Sequence, residues 1–166
     1  MICILQRCLW VFLWLLHVQL AEAIPFQASV TPILNESLNF RQGVSQKPVA
    51  SIQVQCDPSS QFSIHVSSEY GRYFIIKEEY TGRPGEMLPF SVDLIHGQAS
   101  NLHYSPQLGQ LKTLESPVTY GFTSTGDSGE LSGPQTYLLR LHSDPNTSLF
   151  SGKFSNTLYV NIVEQP

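Results

Sequence analysis

A chain of 166 residues with a formal net charge of −4, only 13% charged residues and no basic run lacks the electrostatic footprint of a nucleic-acid binder. Its length is one domain's worth, and a hydrophobic share of 42% is enough for one core.

In chain order, Arg7 precedes an apolar run from Cys8 to Leu20, and Ala-Glu-Ala follows at Ala21–Ala23. This is the pattern of a secretory signal peptide over residues 1–23, cut after Ala23. The run is interrupted by His17 and Gln19 and falls short of the roughly 20 apolar residues a membrane span requires. No later segment is long and apolar enough, so a secreted chain without a membrane span is expected. Cys3 and Cys8 lie in the leader, which leaves Cys56 and no intramolecular disulfide after the cut. Cys56 is expected to be a small buried hydrophobe ending a strand; the competing reading is a reactive or intermolecular thiol.

Directly after the cut, Ile24, Phe26, Ala28 and Val30 alternate with Pro25, Gln27, Ser29 and Thr31. Chain ends are normally polar and frayed, whereas this one reads as a strand with an apolar face. Two placements are open: the first strand of its own sheet, or a strand offered to another molecule. Period-2 alternation then recurs. Ala50, Ile52, Val54 and Cys56 share one face, as do Phe62, Ile64 and Val66, and then Phe90, Val92 and Leu94. Val118, Tyr120 and Phe122 form the next set, followed by Tyr137, Leu139 and Leu141, and finally Leu158, Val160 and Ile162. Clusters of Gly, Pro, Asn and Asp separate these runs. Short alternating strands punctuated by turn formers describe an all-β antiparallel sandwich or barrel in a single domain.

No constellation of residues supports catalysis. Gly126-Asp127-Ser128-Gly129 copies part of the nucleophile signature of trypsin-like proteases, but Glu130 puts a carboxylate where an oxyanion would develop. The tetrapeptide lies between two alternating runs, where Gly, Asp and Ser are expected for turn geometry alone. Asp93, His96 and His103 have no standard metal-site spacing. Glu78 and Glu79 are adjacent, so on a strand they point to opposite faces and cannot act as a pair. The sequons at Asn35 and Asn146 matter only in a eukaryotic source. The chain is expected to be a non-enzyme with no cofactor and no metal.

Three stretches carry a family resemblance. Leu38-Asn39-Phe40 followed by Gly43 is similar to an early Leu-Asp/Asn-Phe-Gly motif, and the run from Ala50 to Cys56 with its successor to a Val-x-Val-x-Cys strand pair. The last, from Ser151 to Val163, resembles a closing Ala/Ser-Gly-x-Tyr-x-Asp-Thr-Leu-x-Val-x-Val signature, with Phe154 in place of Tyr and Asn156 in place of Asp. Together they resemble subunits of chaperone–usher pili, in the branch of spore coat protein U-like and archaic pilins. The resemblance implies an Ig-like β-sandwich that lacks its closing strand, with residues 24–32 as a donor segment and residues 33–166 as the pilin-like domain. Ile24, Phe26, Ala28 and Val30 would be donor residues, and Leu158, Val160 and Ile162 would edge the acceptor groove. The implied partners are a periplasmic chaperone, an outer-membrane usher and neighbouring pilus subunits, with delivery through the periplasm to the cell surface. The family's disulfide would join Cys56 to the region of Ile33 or Leu34, where no Cys stands. A self-contained secreted β-sandwich that binds a carbohydrate or protein is the alternative.

Overall fold

A computed structural model describes residues 24–33, 46–57, 60–79, 87–97, 103–124, 133–143 and 152–166. The expected leader over residues 1–23, the Leu38–Gly43 motif, both sequons and the Gly126–Gly129 tetrapeptide lie outside these residues. Eleven strands are present among them: β1 (Gln27–Pro32), β2 (Lys47–Gln55), β3 (Gln61–Ser68), β4 (Tyr73–Glu79), β5 (Met87–His96), β6 (His103–Tyr104), β7 (Lys112–Thr113), β8 (Val118–Ser124), β9 (Gln135–Ser143), β10 (Gly152–Ser155) and β11 (Leu158–Gln165). The fold is an all-β antiparallel sandwich. One sheet runs β1-β2-β9-β5-β4-β10, with β7 added to β5, and the other runs β11-β3-β8-β6.

The alternating residues form the core because each pleat sends successive side chains to opposite faces. Ile52, Val54, Phe62, Ile64, Val66, Val92, Leu94, Tyr120, Tyr137 and Leu139 are fully buried between the sheets. At the centre Phe62 stacks on Phe122 with ring centroids 4.6 Å apart, and Tyr137 leans on Phe122 at 4.7 Å, so β3, β8 and β9 share one aromatic cluster. Cys56 is buried beside it, and its thiol is pushed up to about 11 by burial and by the charges of Glu164 and Asp57. That environment makes it an unreactive packing residue rather than an activated thiol.

The closing run from Lys153 to Val163 is two strands rather than one. β10 pairs with β4 in the first sheet, and β11 pairs with β3 in the second. β3–β4 and β10–β11 therefore form one antiparallel ribbon that crosses between sheets. Asn156 holds the crossing. Its Oδ1 accepts from the Tyr70 amide at 3.4 Å, and its Nδ2 donates to the Tyr73 carbonyl at 2.7 Å. Gly71 supplies the turn with a φ of +59°, a left-handed conformation that side chains disfavour. β4 escapes period-2 reading because Tyr73, Phe74, Ile75 and Ile76 are consecutive and do not alternate. Pro48 is accommodated in β2 at a register irregularity against β9, where the missing N–H removes no regular ladder bond.

Candidate functional site

Among the described residues the terminal strands β1 and β11 each lie at the edge of a sheet. β1 pairs with β2 over six registered positions, from Gln27 opposite Gln55 to Pro32 opposite Ala50. Val30 and Thr31 favour the extended backbone, and Pro32 is tolerated because β1 is an edge strand. Directly opposed residues share a face. Ala28 faces the same side as Val54, and Val30 the same side as Ile52, both of which are core residues. Yet all six residues of β1 are exposed, Val30 by 39%. The strand thus turns an apolar face toward the core side without being covered there. Its firmest attachments precede it. Phe26 packs on the core with its ring 6.3 Å from that of Phe62, and the half-buried Ile24 donates its backbone N–H to Asp57 Oδ1 at 3.0 Å.

β11 is the edge of the other sheet and pairs only with β3 among the described residues. Leu158, Val160 and Ile162 pack against the core but remain half-buried, unlike their fully covered neighbours Ile64 and Val66 on β3. On the opposite face Tyr159 and Val163 are exposed. The end of β11 meets the start of β1 around the β2–β3 turn. Glu164 lies opposite Phe62 in the ladder and accepts from Ser60 Oγ at 3.4 Å, while Asp57 of the same turn holds Ile24. Two strands with apolar inner faces, each paired along one backbone edge alone among the described residues, therefore flank a common side. Such an edge can accept main-chain hydrogen bonds from an added strand.

Sequence reading missed a second cluster. Asp93 lies on the face of β5 opposite Val92 and Leu94, yet it is only 1% exposed. Arg140, its direct neighbour on β9, grips it with a fork: Nε donates to Oδ1 at 2.9 Å and Nη2 donates to Oδ2. Nη1 of Arg140 donates to Gln46 Oε1 at 2.9 Å, and His142 Nε2 lies 3.0 Å from Asp93 Oδ1. Burial pushes the Asp93 carboxyl up, but hydrogen bonds from Arg140 and His142 and their charges outweigh it, holding the group below its usual range. The available signal was an Asp, an Arg and a His on outward positions of two strands that only the topology makes neighbours. Its carboxylate is thus committed to β9, whereas the backbone of His96 lies opposite Tyr137 and that of His103 lies on β6, opposite Ser124. Among the described residues no group of three His, Cys, Asp or Glu could hold a metal ion. Glu78 and Glu79 sit consecutively on β4, opposite Lys153 and Gly152.

One further polar chain runs over the outside of the second sheet. His65 bonds to Ser63 Oγ through Nε2 and to Thr119 Oγ1 through Nδ1, both at 2.9 Å. Ser63 is only 2% exposed, which removes it as a nucleophile, and the chain ties β3 to β8. No helix among the described residues is long and apolar enough to cross a membrane. No protein-family model and no curated protein matches the chain in sequence.

Proposed function

We propose that the protein is a secreted structural subunit of a surface pilus or coat that assembles by donating an edge strand to a neighbouring copy. In this reading the sandwich is an Ig-like, incomplete one, delivered by a periplasmic chaperone and an outer-membrane usher. The observation that supports it most is the combination of an exposed, apolar-faced β1 with a half-covered β11. Released from β2, Ile24, Phe26, Ala28 and Val30 would fill the next subunit's groove beside Leu158, Val160 and Ile162. The backbone edge of β11 would supply hydrogen bonds without regard to side chain, and the alternating apolar residues would set register.

One observation favours the alternative, a self-contained secreted binding domain: β1 is paired along its whole length within its own chain. The two readings separate when a labelled Ile24–Pro32 peptide is added to the intact chain starting at Ile24, where β1 already occupies β2. Strand addition predicts saturable binding and slowed amide hydrogen exchange across Leu158–Gln165. A chain that stays monomeric at every concentration and ignores the peptide would transfer the assignment to the self-contained domain.

A further inference from the structure

The attachment of Ile24 to Asp57 lies at the position where the leader is expected to be cut. In the uncut chain the Ile24 nitrogen is a peptide amide, and its 3.0 Å contact with Asp57 Oδ1 is a hydrogen bond to a carboxylate. Cleavage after Ala23 would turn the same atom into an α-ammonium at the same place. Its surroundings suit a cation. Asp57 at the end of β2 and Glu164 near the end of β11 both act on Cys56, so two carboxylates lie around this corner. Among the described residues neither is paired with a Lys or Arg side chain. Among the described residues Cys56 also titrates there, and it acts in turn on the buried Tyr137 hydroxyl; both groups are raised and neutral at physiological pH.

We propose that Asp57 is the receptor for the α-ammonium set free at Ile24, so that removal of the leader converts a hydrogen bond into an ion pair that latches β1 onto β2. The hydrolysed bond is the Ala23–Ile24 peptide; water supplies the hydroxyl of the Ala23 carboxylate, and the amine takes up a proton. The latch would then set how readily β1 leaves β2, with Phe26 on Phe62 as its apolar companion. Its consequence for assembly rests on the strand-donation reading above, whereas the ion pair does not.

The sign of the pH dependence follows from the pairing. An α-amino group titrates near 7.7–8.0 in an unfolded chain, and a carboxylate partner raises that value in the folded one. The stabilisation is therefore complete below about pH 7.5 and lost as pH rises through the raised folded value.

The test compares two forms of the monomer, one beginning at Ile24 and one carrying Gly-Ser ahead of it, each with Asp57 and with Asp57→Asn. Asparagine keeps an acceptor and removes the charge. The latch predicts that D57N lowers the folding equilibrium constant about tenfold in the Ile24 form at pH 6.5, the equivalent of one pKa unit of coupling. The difference should shrink by pH 10 and be small in the extended form at either pH. Hydrogen exchange at Ser29 and Thr31, whose amides face β2 in this register, should accelerate by the same factor in the Ile24 form alone. An equal effect of D57N in both forms, or none in either, overturns the ion pair. Mass spectrometry of the exported protein finding a terminus other than Ile24 overturns the processing step. Peptide binding at β11 is a separate readout, so failure of strand donation is distinguishable from failure of the latch.

Discussion

Replacing Asp93 by Asn removes one charge from the cluster that joins β5 to β9 while preserving its volume. The side chain is 2% exposed and accepts two bonds from Arg140, with His142 Nε2 3.0 Å away. Removing one partner of a buried ion pair costs about 3–5 kcal/mol, because the survivor is left desolvated and unmatched. Arg140 retains 23% side-chain exposure and its bond to Gln46, so water offsets part of the loss and about 3 kcal/mol is expected. For a domain of this size that is a fall of roughly 10 °C in Tm. Urea denaturation at a series of pH values measures it. The folded Asp93 carboxyl is held below its unfolded value of about 3.9, so its contribution is present above about pH 4 and lost as pH falls through the folded value. The gap between the native chain and D93N should therefore be full at neutral pH and close in acid. A loss below about 1 kcal/mol that does not vary with pH would refute the reasoning, since that is how a water-screened surface pair behaves.

Three other outcomes are expected. The Tyr137 hydroxyl is buried and has no hydrogen-bond partner among the described residues, and burial, then the charge of Cys56, raises its pKa. Tyr137→Phe should therefore be neutral or stabilising by up to about 1 kcal/mol in thermal melts, and a clear loss would reveal a bonded hydroxyl. Asn156→Asp exchanges the donor to the Tyr73 carbonyl for an acceptor and should cost about 1–3 kcal/mol by urea denaturation, with faster exchange at the β10–β11 crossing. Cys56, buried and raised to about 11, should resist a thiol reagent at pH 8 and react fully only in denaturant. Rapid labelling of the native chain would contradict its place in the core.

The residues show how far a linear pattern carries. Ala50, Ile52, Val54, Phe62, Ile64, Val66, Phe90, Val92, Leu94, Tyr120, Tyr137 and Leu139 all lie inside because period 2 fixes the face of every residue once the strand is recognised. Ile24, Phe26, Ala28 and Val30 are legible as an apolar-faced segment in the same way. The partner of that segment is not, because backbone hydrogen bonds do not depend on side-chain identity. Only the assembled sheets place β1 on β2 and leave β11 with one neighbour among the described residues. Asp93 and Arg140 are 47 residues apart, and their fork exists only because β9 inserts between β2 and β5. Likewise the division of the last run at Asn156 requires β3 and β4 on opposite sheets to pull its halves apart. The sequence by itself determined which residues face inward, since that follows from local pleating. The tertiary structure alone decided which strands lie at the sheet edges and which charges meet, because both depend on contacts between strands distant in the chain.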